Sequence, residues 1–177
     1  MKDRIEIVAS GFGGQGVVRL GQIIGEAAVK QGLHVTMLKS HGTEMRGGYV
    51  RSQVVLSKDI IDSPICETPD YFVALSSAAY KRFKDTVPES GMIIYDPAFV
   101  EEIDKGLKCA QKSFPAKALS MKHFNSALFS NTLALGVMAK LVEGLEKDLM
   151  LESILELIPK FHDKNREAFE IGYDYFH

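Results

Sequence analysis

At 177 residues the chain has the size of one domain and leaves no room for two, and its 46% hydrophobic content supports a core without disulfides or a structural metal. Lys and Arg number 21 against 23 Asp and Glu, a formal net charge of −2 with no block of like charge, which argues against a nucleic-acid partner. Two cysteines, Cys66 and Cys109, with no CxxC pair, cannot make a four-thiolate iron–sulfur cluster or zinc site in this chain alone.

In chain order, Ile5, Ile7, Val8 and Ala9 form a short apolar run that reads as a buried strand entering the turn SGFGGQG. The charges flanking that run leave no secretory h-region, and with so few thiols the expected compartment is the cytoplasm. Val17, Leu20, Ile24, Ala27 and Ala28 then recur at helical spacing, with Gly32 as the stop. Gly21 and Gly25 share one face of this helix and let it approach a sheet closely.

LHVTML from Leu33 is a second strand, and YVRSQVVLS from Tyr49 alternates with period two as a third. YFVALS over 71–76 and MIIYDP over 92–97 are buried strands separated by a helical segment over 78–83; CAQKSF from Cys109 is a weaker edge strand. After Pro115 only helical patterns remain, over 125–143, 148–157 and 164–173. The expected fold is therefore α/β, a Rossmann-like, mostly parallel sheet with a helical C-terminal third, in a single domain over 1–177. Residues 124–139 carry no charge, but the stretch is shorter than the ~20 residues a membrane span needs and holds several polar residues. It reads as a covered helix, and part of a subunit interface is the expected cover.

Two segments carry candidate chemistry. Gly11, Gly13, Gly14, Gln15 and Gly16 form GxGxxG between a strand and a helix, the context in which backbone N–H groups hold a phosphate. The other reading is a tight strand-to-helix crossing and nothing more. A dinucleotide site also needs an acid at the end of the second strand, but Leu38-Lys39-Ser40-His41 supplies none before Glu44, which argues against NAD. The second segment, HGTEMRGGYVRS, places Glu44, Arg46, Gly47, Gly48, Arg51 and Ser52 close together. Its arginines suit phosphate or carboxylate, and they equally suit ordinary surface ion pairs. The five histidines form no metal spacing, and no GxSxG elbow or HExxH motif is present.

GFGGQGV, the E-x-RGG-x-x-RS pattern leading into VVLS, PDYFVALS, MIIYDP, FPA and NTLALG from Asn131 follow one another in an order that resembles the gamma subunit of the 2-oxoacid:acceptor oxidoreductases. These are the pyruvate and 2-oxoglutarate ferredoxin oxidoreductases. Thr43 stands where many relatives carry Pro, with Glu44 and the RGG retained.

The resemblance implies a subunit of an enzyme that turns a 2-oxoacid, coenzyme A and oxidised ferredoxin into acyl-CoA, carbon dioxide and reduced ferredoxin. It implies that thiamine diphosphate, Mg²⁺ and iron–sulfur clusters sit on partner alpha and beta subunits and on a ferredoxin-like delta subunit, because the GDG…N thiamine pattern is missing here. It implies further that coenzyme A meets Gly13 to Gly16 and Arg46 or Arg51 through its phosphates, and that no residue of this chain is catalytic. A freestanding NAD(P)-binding module and a purely structural scaffold subunit are the alternatives.

Overall fold

Ile5, Ile7 and Ala9 alternate with Val8 along β1 (Arg4–Phe12), so the strand feeds apolar side chains into cores on both faces of its sheet. The computed structural model describes residues 2–41 and 49–176. After β1 come α1 (Val17–Lys30), β2 (His34–His41), β3 (Tyr49–Ser57), β4 (Tyr71–Ala74), α2 (Ser77–Phe83), β5 (Met92–Tyr95) and β6 (Ala110–Ser113). The last part of the chain is α3 (Ala116–Phe124), a 3₁₀ turn (Ala127–Phe129), α4 (Ser130–Leu141), α5 (Lys147–Leu157) and α6 (His162–Tyr173).

The six strands lie in the order β2-β3-β1-β4-β5-β6. β4, β5 and β6 follow β1 in parallel, whereas β3 runs antiparallel to both β1 and β2, so the sheet is mostly parallel with one reversed strand. The reversal has a simple cause. Too few residues join β2 to β3 for a crossover helix, so β3 returns against β2. It fills the place beside β1 that α1 passes over on its way to β2. In a dinucleotide fold the ribose-binding acid ends the strand next to β1; here that neighbour is β3, which sets Val50 opposite Gly11.

One core lies between the sheet and α1, α4 and α6. Ile7, Ala9, Val54, Leu56 and Ile94 meet Leu20, Ile23 and Ile24 of α1 there, each large aliphatic side chain contributing roughly 1.5–3 kcal/mol by its burial. The other core packs Val8, Val55, Phe72 and Ile93 against Tyr80 and Phe83 of α2. The Tyr80 hydroxyl donates to Gln111 Oε1 at 2.6 Å and accepts from the Asp104 N–H at 2.9 Å, so burial leaves its polar tip satisfied.

The pattern over 125–143 does not form one helix. α3 ends on Asn125 in the left-handed region, at φ 50° and ψ 35°. Ser126 caps the turn that follows, accepting from the Leu128 N–H at 3.2 Å, and Ser120 Oγ donates to the Ser126 carbonyl at 2.5 Å. α4 begins only at Ser130. α3 itself is absent from the sequence reading because it buries only Ala116 and Ser120 and shows no apolar stripe.

The second half of the uncharged stretch finds its cover within the chain: residues 132–139 are all buried. At Gly136 a β-carbon would run into the Phe169 carbonyl and lie 2.7 Å from the Tyr173 nitrogen; at Gly172 it would meet the Leu133 carbonyl. Two glycines thus bring the α4 and α6 backbones together and cover residues 132–139 within the chain, while Leu128 in the same uncharged stretch stays 64% exposed. Among the described residues no helix is long and apolar enough to cross a membrane.

Candidate functional site

The GxGxxG segment divides into two pairs of glycines with different work. Gly11 is buried, and a β-carbon there would strike Gln15 Oε1 and lie 2.8 Å from Leu75 Cβ. The Gln15 carboxamide occupies that space because it bridges two strand ends: Oε1 accepts from the Phe12 N–H at 2.6 Å, and Nε2 donates to the Leu75 carbonyl at 2.8 Å. Gly16 has φ 73°, and a β-carbon there would overlap Asn131 Nδ2. That amide reaches in from the first turn of α4 and donates to the Gln15 carbonyl at 2.8 Å. Gly11, Gln15 and Gly16 therefore build the turn. Gly13 and Gly14 are exposed, and a β-carbon on either would find nothing within 4 Å; Gly14 holds φ 87°. The open half of the turn lies there.

α1 starts directly afterwards with no side-chain cap. Its first-turn N–H groups therefore keep the partial positive charge of a helix start. The turn and this helix end form the floor of a cleft of about 610 Å³. Residues 129–132 supply one wall, 157–161 a second, and Leu75 and Asp96 mark the ends of β4 and β5. The cleft opens at the carboxyl ends of the parallel strands. There α1 leads to one side of β1 and β4 lies on the other, the switch point at which α/β sheets hold ligands.

Its charge is lopsided. Arg19, Lys117 and Lys160 line it, with Asp96 as the opposing acid. Asp96 is 3% exposed and already engaged, accepting from the Ala98 N–H at 2.9 Å and, at the start of α3, from the Lys117 N–H at 2.8 Å. The arrangement can bind an anion, and among the described residues that line it the one carboxylate is already engaged.

Of the second candidate segment the structure describes Arg51 and Ser52, and these two point to opposite faces of β3. Ser52 is 1% exposed and donates to the Val17 carbonyl at 3.1 Å, pinning the first turn of α1 from beneath. Arg51, the preceding strand residue, points to the other face. There its guanidinium carbon sits 4.9 Å from the centre of the Phe83 ring, and its Nε is buried without a hydrogen-bond partner. Glu44, Arg46, Gly47 and Gly48 lie outside the described residues. Tyr49, the first described residue after them, pairs with Phe12 at the end of β1 that carries the glycine turn.

Arg19, Lys117, Lys160 and Phe161 escaped the sequence reading. Only Arg19 had a local signal, since it follows the glycine motif within one helical turn; the others reach the cleft through tertiary packing.

The thiols take no part. Burial pushes Cys66 up to about 12 and raises Cys109 as well. Among the described residues no group of three or more His, Cys, Asp or Glu could hold a metal ion.

A family model described as pyruvate ferredoxin/flavodoxin oxidoreductase matches residues 6–175. The chain is 34% identical to the "2-oxoglutarate synthase subunit KorC" of Methanocaldococcus jannaschii, over 98% of this chain and 95% of the relative. Among solved structures it superposes with a TM-score of 0.84 and 28% identity on a keto/oxoacid ferredoxin oxidoreductase gamma subunit from Geobacter sulfurreducens, covering 96% of both chains. It matches equally, at 0.84 and 27% identity, the 2-oxoglutarate:ferredoxin oxidoreductase of Magnetococcus marinus, solved with 2-oxoglutarate, coenzyme A and succinyl-CoA bound. That match covers 98% of this chain and 31% of the larger one.

Proposed function

The chain belongs to the pyruvate ferredoxin/flavodoxin oxidoreductase family, and from that premise we propose that its glycine-turn cleft receives the phosphate-bearing end of coenzyme A. The chain is a gamma-type subunit of a 2-oxoacid:ferredoxin oxidoreductase. Such an enzyme oxidatively decarboxylates a 2-oxoacid with coenzyme A to acyl-CoA and carbon dioxide, and reduces ferredoxin. It works in the cytoplasm, with this chain as one domain over 1–177.

The observation that carries the binding role is the open turn at Gly13 and Gly14, of which Gly14 lines the cleft, beside an uncapped helix start and among mainly cationic side chains. Backbone N–H groups at such a turn hold phosphate oxygens without any side chain between. Arg19 and Lys160 add charge-assisted contacts, and Gln15 and Asn131 keep the turn in shape before the ligand arrives. The partner alpha and beta subunits hold thiamine diphosphate and Mg²⁺, which supply the carbanion-stabilising chemistry, and a ferredoxin-like delta subunit carries clusters. Two buried thiols, with no group of three or more His, Cys, Asp or Glu among the described residues, do not fit either group. An NAD(P) role is disfavoured by β3, which puts Val50 where a ribose-binding acid would be needed.

Co-expression with thiamine-binding and ferredoxin-like partners is expected to give a complex that reduces a viologen dye only when both 2-oxoacid and coenzyme A are present. In that complex Arg19→Ala with Lys160→Ala raises KM for coenzyme A at least tenfold, since a lost charge-assisted contact is worth ~1.5–3 kcal/mol. KM for the 2-oxoacid stays the same. A complex that forms normally and shows no change in the coenzyme A KM makes the subunit a scaffold and overturns the reading.

A further inference from the structure

Phe161 occupies a backbone position that suits glycine. At φ 60° and ψ 41° it lies in the left-handed region, which a bulky residue enters only when its surroundings insist. Here they do. Asn165, 3% exposed, donates from Nδ2 to the Lys160 carbonyl at 2.9 Å and to the Phe161 carbonyl at 3.2 Å. Its own N–H donates to the Phe161 carbonyl at 2.9 Å, and its Oδ1 accepts from the buried hydroxyl of Thr132 at 2.7 Å. α4 and α6 thus clamp one strained residue between them.

The side chain so presented gains little from the protein. It is 54% exposed, and its ring meets Phe129 edge-on with centroids 6.1 Å apart. Starting α6 requires no ring; glycine or asparagine would take this conformation at lower cost. What the ring does have is position: it lines the cleft floored by the glycine turn, next to Lys160. Leu128, 64% exposed, lines the same cleft. An exposed aromatic ring on a clamped backbone beside an anion-binding turn suits a flat, nitrogen-containing base joined to phosphates.

We infer that Phe161 is the stacking surface for the purine base of the nucleotide whose phosphates lie at Gly14 and the start of α1. This rests on the coenzyme A reading and adds to it a residue that selects for the base. The Thr132–Asn165 pair is the positioning element that fixes the backbone from which the ring projects.

The test uses the assembled enzyme, the variants Phe161→Gly, Phe161→Asn and Phe161→Tyr, and two fragments of coenzyme A. Adenosine 3′,5′-bisphosphate keeps the base and serves as a competitive inhibitor; 4′-phosphopantetheine lacks the base and serves as a truncated co-substrate. Phe161→Gly is expected to raise KM for coenzyme A and the inhibition constant of the bisphosphate each by roughly tenfold, within the range for loss of one stacked base. KM for phosphopantetheine stays within about twofold, because no base is there to lose. Phe161→Tyr keeps affinity for both ligands. Melting of Phe161→Gly is not lowered, since glycine accepts the left-handed conformation, and Phe161→Asn gives the same pattern by a second route.

An equal rise for phosphopantetheine, or no change for either adenosine ligand, overturns the inference. If the Arg19/Lys160 variant weakens coenzyme A while Phe161→Gly does not, only the stacking role fails. If neither variant does, the coenzyme A reading fails with it.

Discussion

Replacing Gly13 and Gly16 separately by alanine distinguishes a turn that binds from a turn that only folds. At Gly13 the added methyl meets nothing within 4 Å and the backbone is not left-handed, so stability should change by no more than ~0.5 kcal/mol. At Gly16 two costs add. Holding alanine at φ 73° costs about 1–2 kcal/mol, and the methyl displaces Asn131 Nδ2 from the Gln15 carbonyl it bonds at 2.8 Å, losing about 1 kcal/mol more. Gly16→Ala is therefore expected to lose about 2–3 kcal/mol. With a urea slope of ~1–3 kcal/mol/M, that lowers the midpoint by roughly 1 M.

Urea unfolding of the purified chain followed by far-UV circular dichroism reads this term, and KM for coenzyme A in the assembled enzyme reads the other. Gly13→Ala, which adds a methyl next to the cleft-lining Gly14, should raise that KM several-fold at unchanged stability. Should Gly16→Ala unfold at the wild-type midpoint, or Gly13→Ala bind coenzyme A normally, the division of the motif into structural and ligand-facing glycines is wrong.

The α4–α6 crossing gives a stability test away from the cleft. A β-carbon at Gly172 would lie 2.8 Å from the carbonyl carbon of Leu133, and helix backbone cannot step aside. The overpacking cost of ~1–3 kcal/mol therefore outweighs the ~1 kcal/mol that alanine gains over glycine in a helix. Gly172→Ala should melt about 5 °C below wild type, whereas Gly25→Ala, whose nearest contact is Val35 Cγ1 at 3.4 Å, should melt at or above it; equal melting for the two would refute the close-crossing account.

Cys66 is held at about 12 by burial, against an ordinary 9.0. It should resist iodoacetamide at pH 8 until the chain unfolds. Because the folded value lies above the unfolded one, its contribution to stability is complete below pH 9.0 and declines as pH rises toward 12. The urea midpoint of wild type should then fall more steeply over that interval than that of Cys66→Ala.

How much of this could be read without coordinates depends on the range of the interactions involved. The unit from β1 through the glycine turn to α1 is local: an apolar run, GFGGQG and a helical repeat at Val17, Leu20 and Ile24 are each set by residues a few positions apart, and all three stand as expected. The same holds for the core strands β4 and β5. Of the C-terminal helices, α5 and α6 were legible in type and, within two residues, in extent, whereas the pattern over 125–143 was not. The break at Asn125 turns on a left-handed residue and the Ser120–Ser126 hydrogen bond, neither of which disturbs apolar periodicity.

By itself, then, the sequence determined an α/β chain that opens on a strand–glycine turn–helix unit and ends in helices, because period and turn chemistry act over one or two turns of chain. Tertiary structure alone decided the insertion of β3 between β2 and β1, the covering of α4 by α6, and the crowding that leaves Gly16, unlike Gly13, no room for a β-carbon. It also brought Asn131 to a turn 116 positions away and Phe161 into the cleft that turn floors. Those outcomes are contacts between distant segments, which exist only once two cores have closed on opposite faces of one sheet.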